Sequence, residues 1–562
     1  MGISLRLVYV LPVTAPSLGS FPFREERRAM QRRDLLKGTG VAVATAMLAT
    51  PHVVRAQGSG GSRTLRFVPQ ADLPNLDAVA GTQLVVRNGA LMVFDMLYGL
   101  GADLQPKPQM CEGHEVADGF RTWTFRLRPG LKFHDGEPVR SADVVASVNR
   151  WMVRDTMGQM IKARLDALEA VDDRTFRFRL NKPFPKLLFA LGKSNTPLLV
   201  IMPERIAKTD PFQQIKEYVG SGPFRFKRDE WMAGSKAVFE RSPDYQPREE
   251  PSDWLAGGKK VLLDRVEWIT MPDPGTAAGA LQSGEIDWWE NPIADLVPVL
   301  KGARGLSVGI ADPLGNIGAM RINHLQPPFD DVRVRHALQM AVDQEDYMRA
   351  IVGDDEALWK RLPSFFTPGT PLYTEAGAER LKGPRQIEAA RKLIAEAGHA
   401  GAKVTMLVAS DVPITKAQGD VTAEVLKKLG FQVDYQALDW GTVGSRRTSK
   451  APPSQGGWNI FFSWHSGVDC INPAPYKGID ASGDSAWFGW PKSDKVQADI
   501  ARWFDAPDLA TEKVAMDAIN AGSMDLVTYV PTGFFLGYSA WQSGLKGVAK
   551  APFPLFWGVS KA

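Results

Sequence analysis

Cysteine is nearly absent. Cys111 and Cys470 are the only two in 562 residues, far apart and without CxxC spacing. That excludes a disulfide scaffold and a sulfur-rich metal site, and leaves room for at most one long-range disulfide. Histidine is scarce as well: the seven present include no HxH or HxxxH pair, which argues against a dedicated zinc site. Charge of one sign is not in excess either. The net charge is +4 and no long basic run occurs, so a nucleic-acid partner is not expected. Apart from a mild apolar stretch at Val41–Leu48, nothing approaches the length of a membrane span.

What remains is the composition of a soluble globular protein, 44% hydrophobic and 23% charged. The length exceeds what one core organises, so two or three packed units are expected. Sixteen tryptophans are many, and such rings serve both cores and ligand clefts. Residues 30–57 read MQRRDLLKGTGVAVATAMLATPHVVRAQ. Arg32-Arg33, then the short apolar run, then Val54-Arg55-Ala56 resemble a twin-arginine export signal over 30–56, cleaved near Ala56. Residues 1–29 then form an extension without a clear role, and Met30 is a candidate start. The mature chain is expected outside the cytoplasm, in the periplasm of a cell that has one.

Along the mature chain, RTWTFRLR (121–128) and RTFRFRL (174–180) alternate apolar and polar residues as half-buried strands do. Between them a helix is expected with Ser141 as its N-cap and an apolar face of Val144, Val145, Val148, Trp151 and Met152. Further on, PRQIEAARKLIAEAG, KVTMLVAS, QGDVTAEVLKKLG and FQVDYQAL alternate helix and strand, the pattern of a parallel sheet flanked by helices. Two rhythms in one chain imply separate lobes.

Catalytic motifs find little support. GLSVG (305–309) has the spacing of a serine-hydrolase elbow, but Ser307 continues into extended chain instead of a turn and helix. Adjacent acids such as Asp172-Asp173 read as loops, and the glycine-rich QGSGGS lacks a phosphate-loop lysine. Neither an enzymatic activity nor a cofactor is expected.

ADGFRTWTFRLRPGLKFHDGEPVRSADVVASVNR (117–150) resembles the signature of the family 5 extracellular solute-binding proteins, the dipeptide- and oligopeptide-type receptors of ABC importers. YVGSGPFRF (218–226), ERSPDYQ (240–246), ALQSGEIDWW (280–289), PPFDDVRVRHALQMAVDQEDY (327–347) and ARKLIAEAG (390–398) also resemble that family's elements, in its order. The resemblance implies an α/β, periplasmic-binding-protein-like class II architecture, with two α/β lobes joined by a hinge and an inserted α+β domain. Domain I would comprise 57–93, 220–312 and 525–562, domain II 94–219 and domain III 313–524. A peptide-like or other small polar solute would lie between domains I and III. Closure would present it to the permease subunits of the importer, with the receptor acting as a monomer. A ligand sensor on the same fold is the alternative, and a secreted hydrolase a weaker one.

By the same resemblance Trp464 and Asp469, in WNIFFSWHSGVDCINPAPY (458–476), occupy the places of an aromatic residue and of the aspartate that holds a ligand ammonium. Asp469 as a simple cap of the Asn472-Pro473 turn is the competing reading. Where dipeptide-binding relatives carry an arginine after the KVTMLVAS strand, this chain has Asp411. That disfavours a free dipeptide and leaves an amine, a longer peptide or a sugar open. Trp288, Trp289, Trp440 and Trp487 are further candidates for lining the cleft.

Overall fold

The computed structural model describes residues 63–81 and 83–561. The export signal at 30–56 and the extension before it lie outside the described residues. Among the described residues no helix is long and apolar enough to cross a membrane.

Two large sheets organise the chain. In the seven-stranded sheet the order is Leu306–Ile310, Tyr538–Gln542, Trp288–Trp289, Thr64–Val68, Arg265–Ile269, Lys236–Arg241, Phe224–Phe226. Thr64–Val68 is its centre, parallel to both neighbours, and Leu65, Phe67 and Val68 are fully buried. In the six-stranded sheet the order is Trp359–Lys360, Val530–Phe535, Asn316–Ile322, Ile460–Ser466, Lys403–Ala409, Gln432–Leu438. The helix–strand alternation read from the sequence forms its parallel part: helix Ile387–Glu396, then Lys403–Ala409, helix Pro413–Lys428 and Gln432–Leu438. A helix spans the return because parallel neighbours need a long crossover. Gly398 and Gly430, at φ +81° and +88°, end the two helices in the left-handed conformation that glycine tolerates.

The inserted region carries a four-stranded antiparallel sheet, ordered Cys111–Ala117, Thr122–Leu127, Thr175–Leu180, Leu165–Ala170. Its alternation buries Trp123, Phe125 and Leu127 against Phe176, Phe178 and Leu180, with Phe125 stacked on Phe176 at 5.1 Å. Ser141 is the first residue of helix Ser141–Arg154, not its cap. Arg140 stands at that place and its N–H donates to Asp143 Oδ2 at 2.8 Å, while the Ser141 hydroxyl donates to the Asp172 carbonyl. The His134-Asp135 pair is a fastening: His134 N–H donates to Gly220 O at 2.8 Å, its ring Nε2 lies 2.9 Å from Gly222 O, and Asp135 pairs with Arg205. Gly220 must be glycine, because a Cβ there would stand 2.0 Å from Val93 O. Cys111 and Cys470 are both buried and free.

The chain passes between the large sheets twice, at 311–315 and at 536–537. Ile310 pairs with Tyr538 on one side and Asn316 with Phe535 on the other, so the two passages run side by side. Val530–Phe535 belongs to the six-stranded sheet, which corrects the expected boundary at 525: the return to the first lobe falls after Phe535.

Two buried ion pairs hold the inserted domain to the first lobe. Asp77 accepts from Arg150 Nη2 at 2.8 Å, with both side chains 1% exposed or less. Asp95 Oδ1 accepts from Lys259 Nζ at 2.8 Å, and its Oδ2 from Gln109 and Tyr245. Removing one member of such a pair strands the other in a dry interior. Lys259→Met is therefore expected to lower unfolding stability by roughly 3–5 kcal/mol in a denaturant titration.

Candidate functional site

The strand directions place the site. In the seven-stranded sheet Thr64–Val68, Arg265–Ile269, Trp288–Trp289 and Leu306–Ile310 all run the same way and end where the first passage leaves. In the other sheet Lys403–Ala409, Gln432–Leu438 and Ile460–Ser466 are parallel, and Ser466 pairs with Asn316, where that passage arrives. Both lobes thus turn carboxyl ends of parallel strands toward the crossing, the edge at which open α/β sheets bind ligands.

At the base of this cleft the turn 467–470 follows strand Ile460–Ser466. Gly467 N–H donates to Gly315 O at 2.7 Å, and a Cβ at Gly467 would lie 1.9 Å from Leu314 O. This contact fixes Asp469 beside the passage. Its Oδ1 is sealed from solvent and has no hydrogen-bond partner among the described residues. Burial raises the Asp469 pKa, opposed by the charges of Arg87, Lys193 and Lys477. A cavity of about 30 Å³ adjoins it, lined by Met157, Phe189, Lys193 and Asn195 of the inserted region and by the 468–475 segment, with room for a water. Asn195 comes from the inserted domain; its amide donates to Pro475 O at 3.0 Å and its Oδ1 is another buried atom without a partner.

The first lobe answers with charge. Helix Leu84–Val93 carries Arg87, 2% exposed, whose Nε donates to Asn88 Oδ1 and Nη2 to Pro552 O; Nη1 has no partner among the described residues. Asn88 donates to Glu290 Oε1, and Gln70 N–H to Glu290 Oε2 at 2.7 Å. Burial pushes the Glu290 pKa up to about 7, against that backbone bond and the Arg87 charge. Asp312, on the first passage, is pushed up to about 6 by burial, opposed by backbone N–H groups of Leu314 and Gly315 and by Arg87.

On the other lobe Trp464 and His465 precede the turn. The His465 ring lies among Tyr476, Trp487 and Tyr529, its Nε2 buried without a partner, and burial drives its pKa down to about 3. It stays neutral at ordinary pH.

Of the residues expected from sequence, Asp469, Trp464, Trp440 and Trp487 gather at this edge. Trp440 and Trp464 are 6.2 Å apart, and Trp487 touches His465. Trp288 lies in the first lobe's core, against Phe67 and Phe556, and donates to Ser539 Oγ at 2.8 Å. Trp289 is 6% exposed and packs with Val68, Leu281 and Ala540. Asp411 is exposed and accepts from Trp440 N–H at 2.9 Å. Ser307 is mid-strand, bonded to Ser543 Oγ. Sequence reasoning missed Arg87, Glu290, Asp312, His465 and Asn195. Only Glu290, directly after a strand-ending Trp-Trp, and Asp312, before Pro313 at a lobe boundary, carried a local signal.

Unpartnered polar atoms from three regions come together near the crossing between the lobes, an arrangement able to take a polar solute. Residues 105–484 match the family described as bacterial extracellular solute-binding proteins, family 5 middle. A probable peptide ABC transporter periplasmic-binding protein of Sinorhizobium fredii is 35% identical over 95% of this chain and all of its own length. The periplasmic oligopeptide-binding protein of Salmonella typhimurium is 27% identical over 71% of this chain and 74% of its own. Among solved structures, a Pseudoalteromonas dipeptide binding protein in complex with Met-Leu superposes with a TM-score of 0.75 at 18% identity, covering 89% of this chain and all of that one. An agropinic acid complex of a binding protein from A. tumefaciens R10 reaches 0.72 at 22% identity, covering 89% and 99%. The chain belongs to the family 5 bacterial extracellular solute-binding proteins, and its function is that of the substrate-binding component of an ABC importer.

The raised carboxyls give the fold a pH dependence. Glu290 holds a proton in the folded state that the unfolded chain has released, from about pH 4.5 to about pH 7. Its contribution to stability is therefore present below that window and lost as pH rises through it. In thermal melts of the ligand-free protein, Glu290→Gln is expected to gain on wild type steadily from pH 4.5 to 7.5. A difference independent of pH would contradict this assignment.

Proposed function

We propose that this receptor works in the periplasm and captures a peptide-like or other small polar organic solute between its two large lobes, holding a protonated amine of that solute at Asp469. One observation carries the reading: a buried carboxylate oxygen that has no partner among the described residues, beside a small cavity between the inserted region and the 468–475 segment. An unpaired buried carboxylate is costly, and a ligand cation removes the cost. The peptide-binding relatives and the agropinic acid complex support a solute of this chemical kind. Closing of the lobes buries the solute, and the closed form is what the permease subunits recognise. The receptor acts as a monomer and without nucleic acid.

A thermal-shift screen with peptides, amines and sugars tests this, since a ligand at a hundred times its Kd adds about 2.7 kcal/mol of stability. Asp469→Ala is expected to melt like wild type without ligand and to lose the shift with it. An undiminished affinity in calorimetry would remove Asp469 from the site.

Export is assigned to the twin-arginine segment at 30–56, cleaved near Ala56. Replacing Arg32 and Arg33 together by lysine is expected to leave uncleaved precursor in the cytoplasm, read by fractionation and N-terminal sequencing. Normal appearance of the mature form in the periplasm would refute this route.

A further inference from the structure

The inserted region touches both lobes, but in two different ways. Its ends run into the first lobe: helix Leu84–Val93 before it packs in that lobe's core, and strand Phe224–Phe226 after it belongs to the seven-stranded sheet. The pairs Asp77–Arg150 and Asp95–Lys259 bury charge there, and backbone bonds such as Leu198 N–H to Ala78 O and His134 N–H to Gly220 O add to them. Toward the six-stranded lobe, no backbone–backbone hydrogen bond joins it among the described residues. The polar links are made by side chains. Lys186 pairs with Glu512, Arg164 Nη2 with Asp505 Oδ1 at 3.2 Å, and Asn195 Nδ2 donates to Pro475 O at 3.0 Å.

Lys186–Glu512 is the buried pair among these, with side chains 5% and 13% exposed. Lys186 Nζ also lies 5.2 Å from the Trp503 ring centroid, and Phe184 stacks on Phe504 at 6.1 Å. Trp503 and Phe504 lie in the last turn of helix Asp494–Asp505. Glu512 is in the first turn of helix Leu509–Leu526, which leads into strand Val530–Phe535 of the six-stranded sheet. The neighbouring acid Asp508 is engaged in capping that helix, accepting from Thr511 N–H at 2.8 Å. Nearer the cleft the same interface works against itself. Lys477 makes no ion pair among the described residues, and burial, then the charge of Lys193, lowers its pKa. Asn195 Oδ1 lacks a partner beside the cavity of about 30 Å³. Surfaces joined by side-chain ends, and mismatched along one border, can part without breaking a sheet.

We propose that the inserted region latches the receptor shut: Lys186, seated on Glu512 and Trp503, holds the six-stranded lobe closed from outside the cleft and so sets the affinity for any solute. This rests on the closure proposed above and adds the contact that stabilises it. With the lobes apart both ions return to water, so the pair carries no desolvation cost in the open form. Removing one charge therefore leaves the other buried and unpaired only when the lobes are closed. A contact that never parted would instead lower the stability of the whole fold, as Lys259→Met is expected to do. A solute that binds the closed form more tightly gains from whatever favours that form.

Small-angle X-ray scattering and urea unfolding are compared for the ligand-free mature chain and two variants. Wild type is expected to give the compact profile of this structure. Glu512→Gln is expected to lower the closed-to-open ratio roughly a hundredfold, read as a larger radius of gyration, while its urea midpoint falls less than that of Lys259→Met. Lys186→Met combined with Glu512→Leu buries no charge and is expected to return to the compact profile. Glu512→Gln as compact as wild type, whether or not it unfolds in less urea, would overturn the latch, as would a wild type that is already extended. A mixture of di- to tetrapeptides added to Glu512→Gln tests the reading beneath. A return to the compact profile supports both. Expansion that no peptide reverses supports the latch and counts against closure around a peptide-like solute.

Discussion

The hydrogen bond from Gly467 N–H to Gly315 O is the contact on which the site depends. It joins the turn after the central strand of one lobe to the passage that leads into it from the other. Only glycine permits the approach, since any side chain at 467 would collide with the Leu314 carbonyl. Asp469 is thereby held at a fixed height beside Asp312, near the pivot instead of on a mobile lip.

Around that pivot the molecule keeps charges that it does not pair internally. Arg87 retains a free Nη1 although Glu290, Asp312 and Asp469 all act on it, and none of them forms an ion pair with it. Stability alone would favour closing these groups onto one another or replacing them by apolar side chains. On the function proposed above, their satisfaction is left to the solute. Elsewhere the same chemistry is spent on cohesion: Asp77–Arg150 and Asp95–Lys259 are as deeply buried, but every one of those carboxylate oxygens is hydrogen-bonded. That contrast separates structural charge from receptive charge within one chain.

Much of the fold was legible because its signals are local. Trp123, Phe125 and Leu127 alternate along a strand, and Gly398 and Gly430 mark helix ends by a conformation few other residues adopt. The lobe boundary at 525 was misplaced because 530–537 is apolar on both sides of the passage, and only strand pairing tells which sheet owns it. The site was legible in part. Trp464 and Asp469 came from a resemblance carried by their surroundings. Trp288 and Trp440 looked alike as candidates for the cleft, yet one opens the two-residue strand Trp288–Trp289 inside a core and the other begins helix Trp440–Arg446. Arg87 had no signal at all. An arginine becomes informative only when its neighbours in space leave it without a counter-ion, and no local pattern encodes that.

The two passages between the lobes also constrain motion. Because 311–315 and 536–537 run side by side, flanked by the pairings Ile310–Tyr538 and Asn316–Phe535, they act like two pins of one door. Such a linkage resists sliding and shear while leaving one angle free. In the closure proposed above, every solute is accommodated by how far that one angle turns.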